Sequence, residues 1–187
     1  SGESVIFTVD GGGGSFGGGG NTTVTSGGNG IAEATLTTGT TPGNNDVTAQ
    51  IVSSPLDTVQ FRVTTVPGGI SYYTVTPSAT DTTAGDTVTV TVVAYDANNN
   101  QVTTDNTTQV TYTSSSVNVV LVPSSGTLTG GTSSFKAVDA VAESFTLTAK
   151  SNADTSKSGT SAVITVSANS ADSLAYVSGR GTGVTAG

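Results

Sequence analysis

The 187-residue sequence contains no cysteine, histidine, methionine or tryptophan. The lack of histidine and cysteine removes the usual imidazole base, the thiol nucleophile and the commonest ligands of transition metals. Serine is abundant, but without histidine no serine can belong to an ordinary catalytic triad. No two acids stand out as the carboxylate pair of a glycosidase. We therefore expect no catalytic activity, and no cofactor other than calcium.

Basic residues are also scarce, since five lysines and arginines face thirteen acids and the formal net charge is -8. The five are dispersed along the chain as Arg62, Lys136, Lys150, Lys157 and Arg180. A basic face that could neutralise phosphates is missing, so we expect no nucleic-acid partner. No run of about 18 apolar residues occurs either, which predicts that this segment does not insert into a membrane.

Threonine and serine make up about a third of the chain, and valine is its main apolar residue. Threonine and valine are β-branched, which favours strands over helices. Several short runs alternate apolar and polar residues, which predicts antiparallel strands that cover a core on one side. The apolar members of these runs are Val5, Phe7 and Val9; Ala32, Ala34 and Leu36; Val47, Ala49 and Ile51; Val59, Phe61 and Val63; Val88, Val90 and Val92; and Phe145, Leu147 and Ala149. Frequent turn signals between them indicate an all-β sandwich or barrel.

An internal repeat sets the domain organisation. Residues 69–85 align without a gap with residues 171–187, at an offset of 102 residues. A unit of that length fits a seven-stranded immunoglobulin-like sandwich of about 100 residues. We predict tandem immunoglobulin-like β-sandwich domains: the later strands of one domain in 1–68, a complete domain in 69–170, and the first strand of a following or neighbouring domain in 171–187. The predicted core of the complete domain contains Val88, Val90, Val92, Tyr112, Phe145, Leu147 and Ile164.

The first unit contains the segments Gly30-Ile31-Ala32-Glu33-Ala34-Thr35-Leu36, Gly39-Thr40-Thr41-Pro42-Gly43 and Val47-Thr48-Ala49. These three segments resemble the bacterial Ig-like repeats of invasin and intimin type. The turn Tyr95-Asp96-Ala97-Asn98-Asn99-Asn100 resembles the aspartate-rich turn that follows the second strand in that family. The second unit departs from the pattern, with Ser158-Gly159-Thr160 in place of the Gly-Thr-x-Pro-Gly turn. The resemblance implies an extracellular stalk module of a microbial surface protein and implies no enzyme.

The same aspartate-rich turn is a candidate calcium site. Asp96, Asn98 and Asn100 place oxygen ligands at alternate positions, as at the start of a calcium-binding loop. The turn lacks the central glycine and the later glutamate of an EF-hand. Asp and Asn are equally the preferred residues of tight turns, which is the interpretation that we favour.

Three other features have structural alternatives. The glycine-rich segment 11–20 lacks the GK[ST] sequence of a phosphate-binding loop, so we interpret it as a native loop with Phe16 folded on the sheet edge or contacting a neighbour. Asn21 and Asn106 begin glycosylation sequons, which also arise by chance in a threonine-rich chain. One of the adjacent Tyr72 and Tyr73 must face outward, where it could contact a sugar or lie beside a domain junction.

Function has three candidate classes. The first is a structural repeat of an extracellular adhesin, filament or surface-layer protein, with neighbouring Ig-like repeats or copies of itself as partners. The second is a module that binds a glycan or a host protein. The third is an accessory domain of a secreted polysaccharide-degrading enzyme.

The two ends of the sequence suggest a mode of assembly for the first class. An incomplete sandwich exposes a sheet edge and an apolar face, and a strand from another chain can cover both. One hypothesis is that the strand around Leu174, Tyr176 and Val177 inserts beside the first unit of a neighbouring copy. The interface there would comprise Phe7, Val9 and Phe16. The alternative, which we slightly favour because tandem repeats in one gene are the commoner arrangement, is that the chain is a segment of one longer covalent array.

Overall fold

The computed structural model describes residues 2–170. These residues form strands and loops without a helix, as the all-β prediction requires. The described part of the chain accordingly offers no helix of the length and apolar character needed to cross a membrane. The predicted strand around Leu174–Val177 lies outside the described residues.

The first unit is one antiparallel sheet of four strands in the order β2-β1-β3-β4. The strands are β1 (Ser4–Gly11), β2 (Asn21–Thr25), β3 (Gly43–Ile51) and β4 (Ser54–Thr65). Successive side chains of a strand point to opposite faces. The strand registers therefore bring most of the apolar residues to one face, together with Thr22 and Asn45. They place Ile6, Thr8, Thr48, Gln60, Asp46 and Arg62 on the other face.

The second unit contains the remaining eleven strands, packed as a sandwich. They are β5 (Tyr72–Pro77), β6 (Asp81–Thr83), β7 (Thr87–Tyr95), β8 (Gln109–Ser114), β9 (Val120–Val122), β10 (Ser125–Thr127), β11 (Thr132–Val138), β12 (Ser144–Phe145), β13 (Leu147–Ser151), β14 (Ser158–Thr160) and β15 (Ile164–Ser167). One layer has the order β5-β7-β11-β9 and the other has the order β10-β8-β13-β14. At one end, β15 pairs with β12 and lies parallel to β6.

The core of the second unit lies between these layers. Every residue that the sequence predicted for this core is buried, with exposed fractions between 0% and 3%. The outward threonines of β7 alternate with its buried valines, as the period of two requires. The rings of Tyr112 and Phe135, from opposite layers, stack with centroids 4.1 Å apart. The tyrosine hydroxyl donates a hydrogen bond to Ser133 Oγ at 2.8 Å, so its polar end is paired inside the sandwich.

The sheet of the first unit has the same strand order as the β10-β8-β13-β14 layer of the second. Phe7 pairs with Ala49 across β1 and β3, as Tyr112 pairs with Ala149 across β8 and β13. Val5 then takes the position of Val110. The described residues of the first unit form no second layer equivalent to β5-β7-β11-β9.

One predicted strand of the first unit differs from expectation. Residues 31–37 keep the alternation, with Ala32, Ala34 and Leu36 half-buried and the residues between them exposed. Apart from a single bridge between Thr37 and Ser15, however, they form no ladder. The corresponding strand of the second unit is β11, which precedes β12 and β13 and pairs with β7 over seven residues. The first unit has no described counterpart of β7, so the segment is extended but unpaired.

Candidate interaction surface

The inner face of the first sheet is apolar and only partly covered. Its residues are Val5, Phe7 and Val9 of β1, Val24 of β2, Val47, Ala49 and Ile51 of β3, and Val59, Phe61 and Val63 of β4. In the second unit, the corresponding face is covered by β5 and its layer. We call the uncovered part of this face in the first unit, Val59, Phe61 and Val63 of β4, the open face.

The glycine-rich segment covers the β1 side of the inner face. Phe16 and Gly19 exchange two backbone hydrogen bonds, of 2.8 and 3.0 Å. Between them Gly17 and Gly18 have φ angles of 58° and 92°, a pair of positive values that a tight hairpin turn requires and that glycine adopts at no steric cost. The turn brings the Phe16 ring to 5.9 Å from that of Phe7.

Phe16 is 6% exposed, so it belongs to the packing of its own unit. Of the two alternatives for Phe16, folding on its own sheet or contacting a neighbour, the hairpin turn favours the first, and the interface with a neighbour stays a prediction. Phe7 and Val9 lie beneath it and are half-buried. Of the three first-unit residues expected at the interface, none is fully exposed.

The open face carries exposed apolar side chains. Val59, Phe61 and Val63 are 66%, 41% and 39% exposed. Apolar residues at three alternating strand positions make a patch of the kind that marks an interaction site. Sequence alternation identified Val59, Phe61 and Val63 as inward-facing, and the structure agrees on the face but leaves it uncovered.

The edge of β4 is open as well. This strand is twelve residues long and pairs with β3 on one side, and among the described residues nothing pairs with its other side. Natural edge strands are commonly short or carry charges and proline that prevent pairing with another chain. Here Pro55 lies near the start of the strand and Arg62 is held by Asp46 on the polar face, with Nε 2.5 Å from Oδ1. Pro55 and Asp57 lie in the first part of the strand, which leaves the part from Thr58 to Thr65 as an open edge beside the apolar patch.

Asn45 supports the end of β4 next to the open face. β3 begins at Gly43 and includes both Asn44 and Asn45, although asparagine is a common turn residue. Asn45 is fully buried. Its amide donates to Thr65 Oγ1 at 2.8 Å, and its oxygen accepts from the Gly39 amide at 3.3 Å. A buried polar side chain is stable when it is paired in this way, and the loop before β3 is thereby tied to β4.

The candidate calcium residues form a hydrogen-bonded turn at the junction of the two units. Asp96 is 2% exposed and accepts backbone hydrogen bonds of 2.9 Å from Gly68, Asn98 and Asn100. The Asn100 amide also donates to both of its oxygens, at 3.1 and 2.9 Å. These bonds, the Asn100 side chain first, lower the pKa of Asp96 from 3.8 to about 2. The carboxylate oxygens are already occupied by donors, which favours the turn; calcium binding stays a prediction.

Asn100 also connects the units directly. Its amide donates to the Thr40 carbonyl of the first unit at 2.9 Å. Beside it Tyr72 stacks on Tyr95, with centroids 5.4 Å apart, and its hydroxyl donates to Asn99 Oδ1 at 3.0 Å. Tyr73 is buried on the opposite side of β5. The outward tyrosine therefore lies at the junction, which is the structural alternative that the sequence left open.

Solved structures share this fold. The Escherichia coli adhesin FdeC matches with a TM-score of 0.51 and 21% identity, over 89% of this chain and 54% of that chain. The D00-D0 domain of intimin matches with a TM-score of 0.51 and 13% identity, over 87% of this chain and 84% of that one. A glycosyl hydrolase family 2 member from Bacteroides cellulosilyticus has a TM-score of 0.48 and 12% identity, over 87% of this chain and 23% of its own. The sequence matches no protein-family model and no curated protein.

The two adhesin structures confirm the immunoglobulin-like fold and, at the level of the fold, the resemblance to bacterial Ig-like domains of adhesins. At these identities the likeness is one of fold alone. The sites therefore rest on the geometry of this chain. The open face, the open edge and the bonded junction are its distinctive features.

Proposed function

We propose that this chain is a structural module of an extracellular adhesin, filament or surface-layer protein, without enzymatic activity. The observation that carries the proposal is the succession of two immunoglobulin-like units joined by a short, hydrogen-bonded connection at Asp96 and Asn100. Such a connection limits bending between units, which is what a spacer that presents other domains at a distance from the cell needs. The adhesin fold of the matched structures supports the same function.

Small-angle X-ray scattering tests the spacer role. The chain should scatter as an extended particle of constant length, and Asn100→Ala should broaden the distribution of lengths because the bond to Thr40 is lost. The matched control is Asn98→Ala, which leaves the Asn100 side chain and its contacts with the first unit in place. Equal scattering from both variants and the unaltered chain would show that the junction does not set the shape.

The finer part of the proposal is that copies connect by strand donation. The open edge and open face of the first unit support it, because both are features that an added strand would cover. The donor is the segment around Leu174, Tyr176 and Val177 of another copy. Donation from the end of one copy to the start of the next does not close on itself, so it would produce a filament.

Deletion of residues 171–187 tests strand donation. Sedimentation velocity over a range of concentrations should show assembly of the intact chain and a monomer for the truncated one. If the truncated chain assembles as well as the intact chain, donation by this segment is wrong.

The binding-module alternative requires exposed groups that could hold a glycan or a host protein. The paired rings of Tyr72 and Tyr95 are half-buried and engaged with each other and with Asn99. Retention on a glycan array that is lost on Tyr72→Ala would favour this alternative over the spacer.

A further inference from the structure

The second unit shows where a strand with the sequence pattern of residues 171–187 lies in a complete domain. Residues 69–85, which that segment repeats, form β5 and β6. β5 lies over the inner face of the opposite layer, in contact with β13 and β14. β6 then pairs in parallel with β15, with Thr165 opposite Asp81 and Ser167 opposite Thr83.

The first unit has an unpaired strand edge at the matching position. Asn44 pairs with Thr64 as Ser144 pairs with Thr165, so Thr64 occupies the position of Thr165. In the first unit, however, no described residue takes the position of β6 beside it. The adjoining Val66 is 60% exposed.

We propose that the end of β4, residues 64–66, is the receiving edge for residues 183–185 of a second copy, paired in parallel. This inference rests on the proposed strand donation and specifies its site. The offset of 102 residues places Gly183 at the position of Asp81 and therefore opposite Thr64. Val177 of the donor takes the position of Val75, which is 6% exposed in the complete unit. It would lie over the open face without a counterpart of β7, the strand that pairs with β5 in the second unit.

A second copy is the donor because the proposed filament joins the end of one copy to the start of the next.

The open face also limits how closely the donor approaches. Val59 pairs with Ala49 as Gly159 pairs with Ala149, so a valine stands where the complete unit has a glycine. A β-carbon on Gly159 would lie 1.9 Å from the carbonyl oxygen of Tyr73. The donated strand therefore lies further from the first sheet than β5 lies from β14. The Val59 side chain fills the space between, and the donor carries alanine in the position of Tyr73.

Because the natural chain has no cysteine, pairs of introduced cysteines can locate the donor without background. The test variant carries Thr64→Cys and Gly183→Cys. The matched control carries Thr23→Cys and Gly183→Cys, since Thr23 is exposed on β2 at the opposite edge of the same sheet. Both proteins are oxidised at a concentration at which the intact chain assembles, and the products are separated by denaturing electrophoresis. Circular dichroism of each reduced variant checks that the strands are retained.

The proposal predicts a ladder of covalent multimers for the test variant and at least a tenfold lower yield of multimers for the control. Multimers of equal yield in both variants, or none in either, would overturn the receiving site. So would a fast-migrating closed monomer of the test variant, which indicates pairing within one chain. Deletion of residues 171–187 distinguishes a failure of the receiving edge from a failure of strand donation. If assembly needs the segment but the cross-links form at Thr23, only the assignment of the edge at residues 64–66 is wrong. If the chain assembles without the segment, strand donation itself is wrong.

Discussion

Replacing one phenylalanine in each unit by alanine compares a complete sandwich with an open one. Phe145 is 3% exposed between two layers, whereas Phe61 is 41% exposed on the open face. A buried Phe→Ala change costs about 3–5 kcal/mol, part of which comes from the cavity that remains. At Phe61 the face is open and no closed cavity forms, so we expect a loss of about 1 kcal/mol in the monomer. Against a total stability of about 5–15 kcal/mol, only the first loss is a large fraction.

Tyrosine fluorescence during urea denaturation measures the second unit selectively. The chain has five tyrosines, of which Tyr72, Tyr73, Tyr95 and Tyr112 lie in the second unit and none lies in residues 1–68. Phe145→Ala should lower the midpoint of this transition strongly, and Phe61→Ala should leave it in place while weakening assembly. If both variants lower the tyrosine midpoint equally, the assignment of one closed and one open unit is wrong.

Three further predictions concern single contacts. Gly159→Ala should destabilise the second unit by about 1–3 kcal/mol, because its β-carbon would meet the Tyr73 backbone; thermal unfolding followed by circular dichroism measures this. Folding lowers the pKa of Asp96 from 3.8 to about 2, so its carboxylate contributes fully to the free energy of unfolding above about pH 4. That contribution is lost as the pH falls towards 2. Acid titration of the unaltered chain should show this loss of stability, and acid titration of Asp96→Asn should not. Added calcium should leave the melting temperature unchanged if the Asp96 oxygens stay with their present donors, and a clear rise that Asp96→Asn abolishes would instead establish the calcium site.

The faces of the strands could be predicted from sequence because a period of two needs no knowledge of the partner strands. Val88, Val90 and Val92 are buried for this reason, and Phe61 points to the predicted face. Whether a face is covered depends on a second layer, which alternation within one strand does not report. The exposure of Val59 and Phe61 therefore depends on which strands cover the sheet, and the sequence of β4 alone does not predict it.

Local chemistry that depends on distant residues was harder to predict. Asn45 looks like a turn residue, but it is buried in β3 because its side chain finds partners at Gly39 and Thr65. The segment around Ala34 has the pattern of a strand, yet a strand needs a neighbour to complete its hydrogen bonds. The sequence indicated Asp96 as a turn residue and a candidate calcium ligand, while the hydrogen bonds that occupy its oxygens became visible only in three dimensions.

Hydrogen exchange at the backbone amides of the full chain, compared between dilute and concentrated solutions by NMR, tests the central claim most directly. If residues 171–187 of one copy pair with the first unit of another, amides at the open edge of β4 near Thr64 to Val66 should become protected as the concentration rises. Amides of β2, at the opposite edge, should exchange at the same rate in both solutions. Unchanged exchange along β4, or protection confined to β2, would contradict the account.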